Sequence, residues 1–289
     1  FANTFPLAVI SKNIVVKKYF LVILSIVLLS CRNDETNNSS EANQYNITEY
    51  KADYMNYRNL NYGIDSYTLF SGENVKLEYS NGRISKRITN LFVTRNDQPQ
   101  PIYYNTTDEI TYDNNKINII FKSDNESFFP TYQKQITLDG DRISQILVNK
   151  SNTKDTLKFT YNNNVLNFVT VYNKGIKSKS TFYFNANKNV DSIVTKYGNI
   201  NYVSDTNYSY SFNETAKKRK KVILSNYDNY KNPLKNLIIF DETFFRSLSE
   251  NNYKFYGEYF YDENNFMTSY FEGYWNNFIY ENNQINFAK

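Results

Sequence analysis

The chain contains no histidine, which removes most of the side-chain chemistry that hydrolases and metalloenzymes use. Without an imidazole there is no Ser-His or Cys-His pair, and nearly every zinc, copper or non-haem iron site is excluded. The single cysteine, Cys31, cannot form an intramolecular disulfide. We therefore expect no catalytic residue, no metal site and no cofactor, and the composition favours a binding or structural protein over an enzyme.

Paired carboxylates are the remaining route to hydrolysis. Glu258 and Glu272 could in principle act as the acid and the base of a glycosidase. The sequence does not determine the distance between them, and most such residues are simply exposed. A histidine-independent hydrolase is thus an alternative to a binding module.

An aromatic cluster near the C-terminus could bind a ligand. Tyr270, Tyr274 and Trp275 carry flat rings, and rings exposed on a sheet can stack on sugar rings. Strand alternation places Phe271, Gly273 and Trp275 on one face, which is also what a core stripe requires. Tyr270, Tyr274 and Trp275 are the candidate ligand-binding residues of a glycan-binding protein. Core packing is the alternative.

The strongest local charge is a run of five basic residues, Lys217, Lys218, Arg219, Lys220 and Lys221. Such a run could contact phosphate-rich lipopolysaccharide or another polyanion. The alternative is a solvated hairpin tip, where like charges discourage edge pairing. The formal net charge of the whole chain is only +4, so we expect no nucleic-acid partner.

The sole cysteine closes a segment with the features of a secretory signal. Lys17 and Lys18 precede the apolar run 19–29, which is shorter than the about 20 residues that a spanning helix needs. The run ends in Leu-Leu-Ser-Cys, which resembles the lipobox of bacterial lipoproteins. The resemblance implies that Cys31 is acylated and becomes the mature N-terminus. An ordinary signal peptide or a buried core segment is the alternative.

The predicted signal segment divides the chain into four parts. Residues 1–15 are expected to be an upstream or non-native extension, 16–31 the signal peptide, 32–50 a polar flexible tether and 51–289 the folded domain. The tether begins with Asp34 and Glu35, which resemble an export signal of Bacteroidetes lipoproteins. We therefore expect an outer-membrane lipoprotein that faces the cell surface or the periplasm.

From about residue 50 onward one unit recurs, namely a strand, an Asn/Asp/Gly turn and a second strand. Asn81-Gly82 is the strongest of these turns, because both residues accept a positive φ in a type I′ turn. Similar turns are predicted at 113–115, 139–141, 162–164, 185–189, 262–265 and 281–284. The period-2 alternation between the turns predicts an all-β array of antiparallel hairpins.

One insertion interrupts the array. Residues 227–240 are predicted to be a loop that leads into a strand, followed by a short helix near 241–249. Asp241 is the predicted N-cap, and Phe244 and Leu248 lie on one face of the helix. This helix could cover apolar surface that the hairpins leave open.

The units Tyr79-Ser80-Asn81-Gly82 and Tyr112-Asp113-Asn114-Asn115 resemble degenerate tyrosine–aspartate (YD/RHS-type) hairpin repeats. Together with the lipobox and the segment Tyr227–Leu234, they are similar to Bacteroidetes lipoproteins, including a family of unknown function described as porin-like. The resemblance implies hairpins that curl into a barrel-like or superhelical sheet, and it supplies no catalytic residues.

These observations predict a lipid-anchored envelope protein that acts as a binding or structural module. Its partners would be the membrane, through the lipid, and a glycan or another envelope protein. A transmembrane barrel is disfavoured, because spanning strands need about 9–11 residues and the predicted strands are shorter.

Overall fold

The predicted hairpins form one antiparallel sheet of 14 strands that follow one another in chain order. The computed structural model describes residues 47–51, 55, 74–95, 98–127, 129–149, 154–172, 177–201, 211–281 and 284–289. Cys31 and the predicted signal peptide lie outside these residues. The folded unit begins at Ile47 and its first strand at Glu49, so the last residues of the predicted tether belong to the domain.

The strands of the large sheet are β1 (Glu49–Lys51), β2 (Asn74–Ser80), β3 (Arg83–Arg95), β4 (Gln98–Asp113), β5 (Lys116–Ser123), β6 (Tyr132–Asp139), β7 (Arg142–Asn149), β8 (Lys154–Asn162), β9 (Val165–Tyr172), β10 (Lys177–Phe184), β11 (Val190–Asn201), β12 (Ser211–Tyr227), β13 (Tyr253–Tyr261) and β14 (Met267–Tyr274). A separate two-stranded sheet contains β15 (Tyr280–Glu281) and β16 (Gln284–Ile285). The prediction of an all-β hairpin array is confirmed.

Turn chemistry explains why the chain reverses where it does. Asn81 and Gly82, between β2 and β3, have φ values of 51° and 73°. Asn163 and Asn164, between β8 and β9, have values of 48° and 64°. Two consecutive positive φ angles are the mark of the type I′ turn, whose twist matches that of the strands it joins.

The inner face of the sheet is apolar because alternate residues of each strand point to it. Fully or almost fully buried side chains from eight strands contribute to the core, namely Val75, Ile119, Ile136, Ile146, Leu157, Val169, Ile193 and Val222. The intervening residues of the same strands form the outer face. The outer face is where a ligand from solvent would meet the sheet.

Residues 228–252, between β12 and β13, form a plug segment against the inner face. The segment contains a 3-10 helix, Pro233–Leu237, and one turn of α-helix, α1 (Phe244–Ser247). The predicted short helix is therefore present as a single turn. Asp241 is not its cap: α1 begins after Thr243, and the Asp241 carboxylate instead lies 2.5 Å from Nζ of Lys134 on β6.

The sheet curls around the plug segment. Glu242 contacts Tyr50 of β1, and the ring of Phe244 contacts Phe182 of β10. In a flat sheet these strands would be about 43 Å apart, at about 4.8 Å for each of nine spacings. Contacts to both strands from neighbouring residues therefore require strong curvature. Within the described residues the sheet stays open, with β1 and β14 at its edges.

Two expectations about the strands are wrong. The basic run 217–221 is not a hairpin tip but part of β12, which continues for 17 residues. Strand β4 reaches 16 residues, β3 13 and β11 12, so some strands are longer than the pattern predicted. No helix in the described part of the chain is long and apolar enough to cross a membrane.

Candidate ligand-binding surface

An exposed group of aromatic rings lies on the outer face of β13 and β14. Strand register places Phe255 opposite Tyr274 and Tyr259 opposite Tyr270, with Glu272 between the two pairs. Directly opposed residues of an antiparallel pair share a face, so these five side chains lie together. We call this group the aromatic shelf.

The rings of the aromatic shelf pack in pairs and remain open to solvent. The centroids of Phe255 and Tyr274 are 4.9 Å apart, and those of Tyr259 and Tyr270 are 6.5 Å apart with nearly parallel planes. Tyr270 is 63% exposed and Tyr274 59% exposed. Exposed clusters of large rings are unusual on a protein surface and mark binding sites.

Gly257 allows the ring of Tyr259 to lie against the strand. A Cβ atom at this position would lie 2.7 Å from ring carbon Cε2 of Tyr259, closer than real Cβ contacts. The missing side chain thus leaves the space that the ring occupies. Any larger residue at position 257 would displace this ring from the shelf.

Glu272 fixes two of the shelf hydroxyls. The Tyr259 hydroxyl donates to Oε1 of Glu272 at 2.7 Å, and the Tyr274 hydroxyl donates to Oε2 at 3.4 Å. Partial burial, together with the hydrogen bond and the charge of Glu272, raises the pKa of Tyr259 to about 12. The arrangement presents flat rings with a side-chain carboxyl acceptor between them.

The Glu272→Gln change is expected to lower the pKa of Tyr259 from about 12 towards the ordinary value near 10. The side-chain amide of the variant is neutral, so it does not repel the Tyr259 phenolate as the carboxylate of Glu272 does. Because the folded-state pKa is the higher one, the stabilisation of the neutral form is complete below about pH 10 and is lost as the pH rises through about 12. Tyrosinate absorbance measures the titration, and the difference from Tyr259→Phe isolates this residue. An unchanged Tyr259 curve in Glu272→Gln would contradict the assigned hydrogen bond.

Trp275 does not belong to the shelf, although Tyr270 and Tyr274 do. It is partly buried against the core, and its ring centroid lies 4.7 Å from Cζ of Arg246 and 5.7 Å from the centroid of Tyr253. Arg246 is 1% exposed, and its Nη1 donates to the carbonyl oxygen of Tyr253 at 2.9 Å. The core-packing interpretation therefore fits Trp275.

The basic run is divided between the two faces of the sheet. Lys220 points inward, is 7% exposed and places Nζ 2.9 Å from Oε1 of Glu258. Arg219 and Lys221 lie on the outer face, opposite Tyr261 and Tyr259. The backbone of residues 217 and 218 lies in β12, but the side chains of Lys217 and Lys218 are outside the described set. Only part of the predicted polyanion contact is thus placed on the outer face.

The two candidate catalytic carboxylates are not brought together. Gly257 lies opposite Glu272, so the preceding and following residues of β13 point to the other face. Glu258 is 1% exposed, pairs with Lys220 and accepts the Tyr256 hydroxyl at 3.0 Å. Because the two carboxylates lie on opposite faces of the sheet, they cannot act on the two sides of one glycosidic bond.

Buried charges also join the plug segment to the inner face. Arg87 of β3 lies between Asp108 of β4 and Glu242 of the plug segment, with N–O distances of 3.2 and 2.9 Å. The Tyr50 hydroxyl donates to Glu242 at 2.7 Å. Burial raises the pKa of Asp108, and the charge of Arg87 partly opposes this shift. Each of these groups is enclosed by protein, which makes the cluster structural.

Sequence reasoning missed two members of the shelf, Phe255 and Tyr259, and it considered Glu272 as half of a catalytic pair and not as an acceptor for tyrosine hydroxyls. The signal was the spacing Phe255-x-Gly257-x-Tyr259, which places two rings on one face with a gap between them. The matching spacing Tyr270-x-Glu272-x-Tyr274 occurs in the following strand. Pairing these two triplets requires the strand register, which the sequence pattern alone does not supply.

Comparisons with known proteins give similarity in structure alone. No protein-family model matches the sequence, and no curated protein matches it. Among the solved structures that are similar to the chain are two porin-like proteins. A porin-like protein from Bacteroides vulgatus has a TM-score of 0.43 and 10% identity, over 73% of this chain and 85% of that one. A porin-like protein from Bacteroides uniformis has a TM-score of 0.40 and 12% identity, over 74% and 86%. Likeness at this level assigns neither a family nor a function.

Proposed function

We propose that this protein is a carbohydrate-binding lipoprotein of the bacterial outer membrane, held there by a lipid on Cys31. The observation that carries the binding proposal is the aromatic shelf. Aromatic rings present a flat apolar surface, and the C–H face of a sugar ring stacks against such a surface. Tyr270 and Tyr274 offer the largest open faces of the shelf.

The polar groups of the shelf can form hydrogen bonds with the hydroxyl groups of a sugar. Glu272 is exposed and lies between two rings, where its carboxylate can accept hydrogen bonds from sugar hydroxyls. The hydroxyls of Tyr259 and Tyr274 are held beside it. Stacking combined with a fixed acceptor gives both affinity and orientation.

Contacts within the protein also hold the side chains of the shelf in position in the absence of a ligand. Tyr259 is held by the space over Gly257 and by its bond to Glu272, and Tyr270 packs against it. A site whose side chains already hold the bound geometry loses less conformational entropy on binding. This favours a binding role for the shelf.

The surroundings of the shelf favour a ligand from water over a lipid tail. On the neighbouring strand β12 the outer face carries Arg219, Lys221 and Ser225, with Ile223 among them. Strands that face lipid carry apolar side chains on their outward surface. The side of the shelf that meets β12 is therefore bordered mainly by polar and charged side chains, as a carbohydrate site would be.

The binding proposal predicts that a soluble polysaccharide in a native gel retards the protein. A panel of neutral and acidic polysaccharides tests this prediction. We expect Gly257→Ala to weaken the interaction about tenfold, because the displaced Tyr259 ring removes one stacking contact. Gly273→Ala is the matched control, since its Cβ would lie 3.7 Å from Trp275, an ordinary contact on the other face. The proposal fails if no polysaccharide binds or if both variants bind like the wild type.

The anchor proposal predicts that Cys31→Ala moves the protein from the membrane fraction to the soluble fraction. The thiol is the atom that would be acylated, and the polar tether after it has no apolar run that could replace the lipid. Immunoblots of fractionated cells measure the distribution. Retention of Cys31→Ala in the membrane would overturn this part of the proposal, and protease treatment of intact cells would distinguish the surface from the periplasm. The relation to tyrosine–aspartate repeats stays a prediction.

A further inference from the structure

The aromatic shelf is longer along its two strands than across them. Its exposed rings, Tyr270 and Tyr274, are attached to β14 four residues apart, which corresponds to about 13 Å. We call these two the end rings. Across the strand pair the rings are closer, with centroids 6.5 Å apart for Tyr259 and Tyr270 and 4.9 Å apart for Phe255 and Tyr274. The shelf therefore forms a strip that runs parallel to the strands.

A third tyrosine ring and a carboxyl group occupy the middle of this strip. The ring of Tyr259 lies over Gly257, where a Cβ atom would be only 2.7 Å from its Cε2. Gly257 lies opposite Glu272, and the Tyr259 hydroxyl donates to Oε1 of Glu272 at 2.7 Å. The strip thus has an exposed ring at each end and a ring beside a hydrogen-bond acceptor at its centre.

The register of β13 and β14 keeps the strip regular. The pairing runs without a shift from Phe255 opposite Tyr274 to Phe260 opposite Ser269. An uninterrupted register preserves the alternation of side chains, so positions that are two or four residues apart on a strand point to the same face. The shift between Phe260 and Tyr261 comes only beyond the shelf residues. Both end rings therefore lie on one side of a regular strand pair.

The length of the strip exceeds that of one or two sugars. Neighbouring rings of an extended glycan are roughly as far apart as neighbouring strands of a sheet, which is about 5 Å. A ligand therefore needs about three sugar units before it can stack on both end rings at once. Its middle unit would then lie over Glu272, which can accept a hydrogen bond from a sugar hydroxyl.

The straightness of the strip selects among the shapes of glycan chains. Chains with equatorial linkages, such as cellulose, mannan and xylan, form extended ribbons that present C–H surfaces along their length. Chains with axial linkages, such as amylose, coil into helices and turn away from a straight surface within a few units. A ribbon can place separate sugar rings against both end rings, because these lie on one face of the strand pair.

We propose that the aromatic shelf binds ribbon-shaped glycans that lie along β13 and β14 and span about three sugar units. This inference rests on the proposed carbohydrate-binding function and names the shape and length of the ligand. Once one sugar has stacked on the first end ring, stacking on the second is an intramolecular step with a high effective concentration. The two end rings therefore cooperate only when the ligand is long enough to reach both.

The test measures the affinity of the full chain for cello-, manno- and xylo-oligosaccharides of increasing length. In a series that binds, we expect affinity to rise about tenfold or more from the disaccharide to the tetrasaccharide. Tyr270→Ala and Tyr274→Ala should each leave these two ligands within about threefold of each other, because only one end ring remains. Tyr183→Ala, at a ring of β10 that is 50% exposed, is the control and should keep the full rise. Malto-oligosaccharides of the same lengths should show no comparable rise.

The outcomes separate this inference from the function on which it rests. A disaccharide that binds as tightly as the tetrasaccharide would overturn the proposed length and leave the carbohydrate-binding function standing. An equal rise in the wild type and in both end-ring variants would overturn the assignment to the end rings. Binding of a polysaccharide without binding of any ribbon-shaped series, or an equal rise with malto-oligosaccharides, would overturn the proposed shape. Failure of every polysaccharide and oligosaccharide to bind would overturn the function and this inference together.

Discussion

Replacing Arg87 by methionine is expected to lower the free energy of unfolding by about 3–5 kcal/mol. The change leaves Asp108 and Glu242, both 5% exposed, inside the protein without the cation that lies between them. Uncompensated buried charges are among the most destabilising defects that a single substitution can create. Chemical denaturation at neutral pH measures the effect.

The same variant should recover stability as the pH falls. Burial already raises the pKa of Asp108, and loss of Arg87 removes the charge that opposes this shift. A raised folded-state pKa means that the protonated form favours folding, so the defect of Arg87→Met is greatest above that pKa and shrinks towards pH 4. Arg83→Met, an exposed arginine of the same strand that lies over Tyr112, is the control and should cost less than about 1 kcal/mol. Equal losses for the two variants would contradict this account of the buried cluster.

Replacing Phe244 by alanine is expected to lower the free energy of unfolding by about 3–5 kcal/mol. Its ring is 1% exposed and makes edge contacts with Phe159 of β8 and Phe182 of β10. The substitution leaves a cavity at the point where the plug segment meets strands on the inner face. Phe266→Ala, at a ring that is 70% exposed, should change stability by no more than about 0.5 kcal/mol.

A double-mutant cycle refines the second prediction. Phe244→Ala and Phe182→Ala should be coupled by about 0.5–1.5 kcal/mol, because the two rings touch. Coupling within error of zero would mean that the plug segment does not anchor β10. The curvature of the sheet would then need another cause.

Much of the fold was predictable because its determinants are local. The turns at Asn81 and Asn163 depend on residues that tolerate a positive φ, and the strands depend on a period of two. Both signals can be read within about ten residues of chain. They predicted the order of the hairpins and the all-β class.

The errors involve partners that are distant in the sequence. The run 217–221 has the composition of a loop, but Lys220 finds Glu258 across the strand pair and the run becomes part of β12. Asp241 has the spacing of a cap, but Lys134 from β6 binds its carboxylate. In both cases a tertiary ion pair outweighs the local preference.

Only part of the candidate site could be predicted from the sequence. Alternation alone separates Trp275 from Tyr274, so the three candidate residues could not all face one ligand. The meeting of Tyr259 with Tyr270 depends on a register shift between Phe260 and Tyr261, which no local pattern encodes. The shelf therefore became visible only when the strands were paired.

The most direct test of the account is tyrosine footprinting with and without a bound polysaccharide. Limited chemical modification followed by mass spectrometry reports the accessibility of each ring. Tyr270 and Tyr274, at 63% and 59% exposure, should be protected by ligand, while Tyr103 of β4, at 51%, should react equally in both samples. Protection confined to the first two would support the aromatic shelf as the carbohydrate site. Bound polysaccharide that leaves Tyr270 and Tyr274 fully reactive would contradict it.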